Sequence, residues 1–285
     1  MVDQTLNQIF NAKMNSDDFD RLSKFIFQQC GIKMPPAKKI MLQSRLQKRL
    51  RELKITSFKE YADFVFSDDG QKKEIIHMLD VVSTNKTDFY REPVHFDFLT
   101  NNILPEFISI NNFNRSFKVW SAGCSSGEEP YTIAITLNEF AKNNTRFDFS
   151  ILGTDISSQI LQKAVLGVFK EERIVNIPLE TKKKYFLRSK NRESRTVRVV
   201  KELRNKVEYR RLNFMDDNYS ISDVYDVIFC RNVLIYFNRE TQEKVINKLC
   251  YKLKKGGYLF IGHSESILGM DVPLEQIKPT IFRRK

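Results

Sequence analysis

The spacing of apolar residues changes character along the chain. Up to about residue 84 it is helical, with no strand punctuation. Phe19, Leu22, Phe25 and Ile26 line one face of the segment 17–34, where Asp17 or Asp18 can cap the start and Gly31 can stop the helix. After Pro35 and Pro36, Leu42, Leu46, Leu50 and Leu53 share one face of a second amphipathic helix. Phe58, Tyr61 and Phe64 or Val65 point inward from a third, which ends near Asp69 and Gly70, and a further helical run covers 71–83. These runs predict an all-α domain over residues 1–84 and a second domain over 85–285, which opens with a polar stretch and a helix at 94–110.

From residue 117 the pattern switches to strands alternating with helices. FKVWSAGCSSGEEPY (117–131) reads as a strand, a turn of small residues and a helix start at Pro130. A second strand ends at Asp155 and is followed by a helix that Ser157 or Asp155 can cap. YDVIFCRNVLIYF (225–237) is a buried strand that carries Cys230, Arg231 and Asn232 to its carboxyl end. A helix, the turn Lys254–Gly257 and the strand YLFIGHSES come after it. Such alternation requires a mostly parallel sheet. Between these units, alternation at Thr196–Val199 and Val207–Leu212 predicts a small antiparallel β insertion over about 175–211.

Composition narrows the picture. A chain of 285 residues with 41% hydrophobic residues affords a sizeable core and about two domains. No apolar run reaches the roughly 18 to 20 residues that span a bilayer, and the start MVDQTLNQIF lacks the regions of a signal peptide. The expected location is therefore the cytoplasm, without membrane insertion. Cys30, Cys124, Cys230 and Cys250 form no C-x-x-C pair, so reduced buried thiols are expected and no metal.

The formal net charge of +12 points to an acidic partner. From Lys38 to Lys54 seven basic residues oppose the single acid Glu52, and Arg45, Lys48 and Arg49 fall largely off the apolar face. That face is either simply solvated or a docking surface. The stretch 182–214 is also basic, with thirteen Lys or Arg against Glu193, Glu202 and Glu208.

The glycine loop carries the chemistry. A loop leading into a helix N-terminus normally attracts an anion, but Glu128 and Glu129 occupy that end. A phosphate-rich ligand is disfavoured there and a cationic one is suited, which selects S-adenosylmethionine, with its sulfonium and ammonium. Asp155 lies 28 residues beyond Gly127, where a carboxylate can accept from two ribose hydroxyls.

Taken in order, TNKTDFYRE, SAGCSSGEEPY, GTDIS, LNF, FCRNVLIYF and GHSES resemble the chemotaxis receptor glutamate methyltransferases, the CheR family, over essentially the whole chain. The resemblance implies a Rossmann-like class I methyltransferase domain, in the α/β class, with a small antiparallel insertion and an all-α N-terminal domain. It implies that Asn85, Thr87 and Arg91 contact the methionine and ribose side of the cofactor and that Glu129 and Asp155 supply the acids. Asn213, Phe214, Arg231 and Asn232 then line the adenosyl pocket, and Tyr236 stands near the reacting centre. It further implies methyl transfer to receptor glutamates, with the basic face of Arg45, Lys48 and Arg49 meeting an acidic receptor helical bundle. Members that tether a receptor pentapeptide have a glycine in the insertion's turn. SKNRESR (189–195) has none, so recognition without that tether is expected. A nucleic-acid methyltransferase also suits the charge, but RNVLIYF is not the Asn-Pro-Pro-Tyr type of turn, and no nucleic acid is expected. A cofactor-sensing module is the remaining rival.

Overall fold

A computed structural model describes residues 8–285. Residues 1–7, most of the opening stretch weighed as a signal peptide, lie outside the described residues. The N-terminal part is helical, with helices Ser16–Cys30, Lys39–Leu53, Phe58–Phe66, Asp68–Lys73 and Ile75–Val82. The first is capped by Asn15, whose side chain accepts the Asp18 N–H, and it ends on Gly31 at φ +72°. The stripes read from sequence face inward: Phe19, Leu22, Ile26, Leu42, Leu46, Leu50, Phe58 and Tyr61 share one buried cluster. Among the described residues, no helix is long and apolar enough to cross a membrane.

Helix Lys39–Leu53 does not present the three-cation face that its spacing predicts. Arg49 is buried, and its Nε and Nη2 donate to Glu74 Oε1 and Oε2 at 2.7 and 2.8 Å. Glu74 is only 1% exposed and also accepts the Tyr61 hydroxyl at 2.9 Å. Arg49 is therefore a structural ion pair within the helical core and offers nothing to a partner. Arg45 is half-buried and donates to the carbonyls of Val82 and Ser83 and to Thr84 Oγ1. Of the three cations, Lys48 alone is exposed.

The remaining chain builds ten strands: β1 (Phe117–Ala122), β2 (Phe149–Asp155), β3 (Val168–Lys170), β4 (Phe186–Arg188), β5 (Thr196–Val199), β6 (Val207–Arg211), β7 (Tyr225–Cys230), β8 (Leu253–Ile261), β9 (Leu274–Lys278) and β10 (Ile281–Arg284). The seven-stranded main sheet has the order β6-β2-β1-β7-β8-β10-β9. It is parallel from β6 to β8, and β10 is antiparallel to both its neighbours. Successive residues alternate faces: Val119 and Phe229 enter one buried cluster, Trp120 and Ile228 the other. The small sheet β3-β5-β4 is antiparallel, as expected, but its bounds differ. It begins at Val168, and the strand at 207–211 is not part of it, because β6 pairs in parallel with β2 at the edge of the main sheet. Strand order reverses at β1, between β2 and β7, so a crevice opens at the carboxyl ends of those strands.

Candidate functional site

All ten residues singled out from sequence line one cavity of about 250 Å³ in that crevice. Its floor is the glycine loop. Gly123 has φ +83°, and a Cβ there would stand 2.4 Å from Val233 Cγ2, so only glycine fits. Four of the loop's backbone donors are already used. Gly123 and Cys124 donate to Thr154 O at 2.7 and 2.8 Å, Ser125 to Asp155 Oδ2 at 2.8 Å, and Gly127 to Cys124 O at 3.2 Å. A phosphate would find no free nest in these groups.

Of the two loop acids, only Glu129 faces the cavity. Glu128 is buried and turned aside, accepting from Ser126 Oγ at 2.6 Å and from Arg173 Nη2 at 2.8 Å. The Glu129 carboxylate accepts the Ser121 hydroxyl at 2.6 Å and lies 3.4 Å from Arg231 Nε. Burial pushes its carboxyl up from the ordinary range, while Arg231 and Ser121 pull it back. Asp155, at the end of β2, is held by the Ser125 and Ser157 N–H groups at 2.8 and 3.0 Å. Burial raises its pKa too, against those backbone donors.

Cationic groups stand beside Glu129. Arg91 lies between two residues in left-handed conformation, Tyr90 (φ +53°) and Glu92 (φ +55°), so the polar stretch after the helices is sharply kinked. The Arg91 carbonyl accepts Arg231 Nη2, and Arg231 Nη1 is buried with no partner among the described residues. Behind Arg231, Thr280 donates its hydroxyl proton to Pro279 O at 2.6 Å and so accepts from His95 Nε2 at 2.7 Å. Burial first, then Arg231 and His263, drives the His95 imidazole down to about 3. Glu92, His95 and His263 hold ligand-type atoms within 4.8 Å of one another, but Arg231 Nε stands 3.6 Å from Glu92 Oε2 and opposes a cation there.

Asn232 (φ +59°) begins a loop organised by a residue to which the sequence reading gave no role. Glu265 accepts four backbone N–H groups, from Gly262, Asn232, Val233 and Leu234, at 2.6 to 2.9 Å. The only signal for it was its place in GHSES. The loop continues into the turn Leu234–Tyr236, which brings the Tyr236 side chain to the cavity.

Four further groups come from residues 1–84 and were not singled out from sequence: Cys30, Ile32, Ser83 and Thr84 line the same cavity. Burial pushes the Cys30 thiol up to about 11, and all four cysteines are buried and free. Asn213 donates to Gln29 O at 2.7 Å, and the Tyr236 carbonyl accepts the Lys33 N–H at 2.9 Å. Phe214 is buried beside Phe237, with ring centroids 6.3 Å apart. Asn85 and Thr87 line the cavity from the polar stretch; Asn85 O accepts Ser125 Oγ at 2.8 Å, and Thr87 O accepts Arg173.

Residues 85–282 match the family described as CheR methyltransferase, SAM binding domain, and residues 17–83 match CheR methyltransferase, all-alpha domain. The chain is 40% identical over 277 residues to a chemotaxis protein methyltransferase of Borreliella burgdorferi, covering 96% of each chain. It is 34% identical over 266 residues to chemotaxis protein methyltransferase 2 of Pseudomonas aeruginosa, covering 93% of this chain and 92% of that one. To the chemotaxis protein methyltransferase of Escherichia coli it is 35% identical over 250 residues, covering 87% of this chain and 84% of that one.

Proposed function

We propose, for a chain that belongs to the CheR family of S-adenosylmethionine-dependent chemotaxis methyltransferases, that the methyl acceptor is the side-chain carboxylate of glutamates in the cytoplasmic helical bundle of chemoreceptors. The observation that carries this reading is the meeting of acids, guanidinium groups and Tyr236 around one cavity at the carboxyl ends of β1, β2 and β7.

The residues present fit the cofactor. Glu129 offers a carboxylate to its sulfonium and ammonium, and the guanidinium of Arg91, which lines the same cavity, suits its carboxylate. Arg231, which the resemblance puts at the adenosyl end, stands 3.4 Å from Glu129 and so belongs at the amino-acid end. Asp155 keeps lone pairs for ribose hydroxyls beyond those given to Ser125 and Ser157. Asn85 and Thr87 border the methionine and ribose side, and Asn213, Phe214 and Asn232 border the adenosyl end.

When bound, the cofactor supplies a methyl group on a sulfonium; an oxygen–carbon bond forms as the sulfur–carbon bond breaks, leaving a neutral ester and a neutral thioether. A glutamate with pKa about 4.3 is already ionised at neutral pH, so no general base is needed. Tyr236 is the residue to orient one carboxylate oxygen while the other attacks, because a neutral hydroxyl holds the nucleophile less tightly than an arginine does. Lys38 Nζ lies 5.7 Å from the Tyr236 ring centroid, and exposed Lys86 lines the cavity. With Lys48 they give an acidic helix a cationic approach. The turn 189–195 holds no glycine, which supports recognition without a peptide tether.

The test is chemical. Chain, labelled S-adenosylmethionine and receptor-rich membranes are expected to give receptor-bound label that mild alkali releases as methanol. Label that survives alkali, or label on nucleic acid, overturns the reading.

A further inference from the structure

The polar stretch carrying Asn85, Thr87 and Arg91 has Arg91 Nη1 donating to Lys86 O within it and Ser125 Oγ donating to Asn85 O at its start, and its middle is fastened by the small sheet. Phe89 is 9% exposed, and its ring stands edge-on to Phe169 of β3 at 5.0 Å and to Phe186 of β4 at 5.4 Å. Arg173, in the turn Glu171–Ile174 just after β3, ion-pairs with Asp88 at 3.0 Å and donates to the Thr87 carbonyl. The same guanidinium pairs at 2.8 Å with Glu128, which is 2% exposed at the start of the helix leaving the glycine loop. Arg173 does not itself line the cavity.

We propose that Arg173 is a positioning residue for cofactor binding: one planar fork from the insertion sets the polar stretch against the glycine loop, so that Thr87 and Glu129 face the same ligand from two sides. Arginine suits the task because its donors lie in a fixed plane and reach three acceptors at once. A lysine presents one ammonium that satisfies Glu128 and cannot span to Asp88 and Thr87 as well. Removing the charge alone would leave Glu128 buried and unpaired, which threatens folding rather than testing position.

The inference rests on the cavity being the cofactor's, and the experiment separates the two. Cofactor affinity is measured by calorimetry on the full chain for wild type, Arg173→Lys, the pair Arg173→Gln with Glu128→Gln, and Asp155→Asn as reference, alongside thermal melts and steady-state kinetics. The double variant removes both charges and Arg173→Lys keeps the one beside Glu128, so at least one is expected to fold. Loss of alignment is expected to weaken cofactor binding about tenfold in the double variant and several-fold in Arg173→Lys. KM for the cofactor rises in step, while kcat at saturating cofactor stays within about twofold of wild type. Wild-type affinity in the folded variants, or a fall in kcat with affinity unchanged, overturns the proposal. Wild-type affinity in Asp155→Asn overturns the cavity assignment instead.

Discussion

Tyr236 is held at the cavity from two directions: Glu265 gathers the N–H groups of Asn232, Val233 and Leu234, and the Lys33 N–H reaches the Tyr236 carbonyl. Those contacts join residues far apart in sequence. If the hydroxyl orients the acceptor, Tyr236→Phe lowers kcat about 10- to 100-fold at saturating receptor, leaves the cofactor dissociation constant within about twofold and leaves the melting temperature near wild type. Unchanged kcat removes the residue from the chemistry.

At the scale of elements, periodicity was a sound guide to inward faces and a poor one to partners. Leu42, Leu46 and Leu50 lie where their spacing put them. Arg49 has the spacing of a solvated residue, yet Glu74, 25 positions on, draws it inside, and nothing in a helical wheel reveals a partner on another helix. The same blindness assigned β6 to the insertion: its alternation was visible, but its pairing with β2 was not. A contrast between neighbours follows. Arg49→Ala strands Glu74 without its counter-charge and is expected to cost about 3 to 5 kcal/mol, whereas Lys48→Ala costs under about 0.5 kcal/mol. Urea unfolding curves followed by circular dichroism distinguish the two. Equal midpoints contradict the buried pair.

Across the whole molecule, the excess of positive charge is spread over the surface while both signs meet in the cavity. Charge and position singled out Glu129 and Asp155, the resemblance added Arg91 and Arg231, and Lys86 was not singled out; together they make the cavity suited to a ligand with both signs. Salt therefore acts on the two ligands differently. Raising ionic strength from about 0.05 to about 0.5 M is expected to lower kcat/KM for receptor about tenfold or more, through slower encounter, while cofactor affinity changes little. Stopped-flow association rates with soluble receptor fragments measure this, and a flat salt profile excludes electrostatic docking.

Cys30 and Ile32 give the helices a share in the cavity itself, and Gly31 sits so close to Met215 and Phe237 that an added Cβ would lie 2.7 Å from the Met215 sulfur. A fragment beginning after residue 83 keeps every strand yet loses one side of that cavity. Any swing of the helices wide enough to uncover that side must also part Gln29 from Asn213 and Lys33 from Tyr236. Unsealing the chamber and releasing its tyrosine are thus one mechanical event.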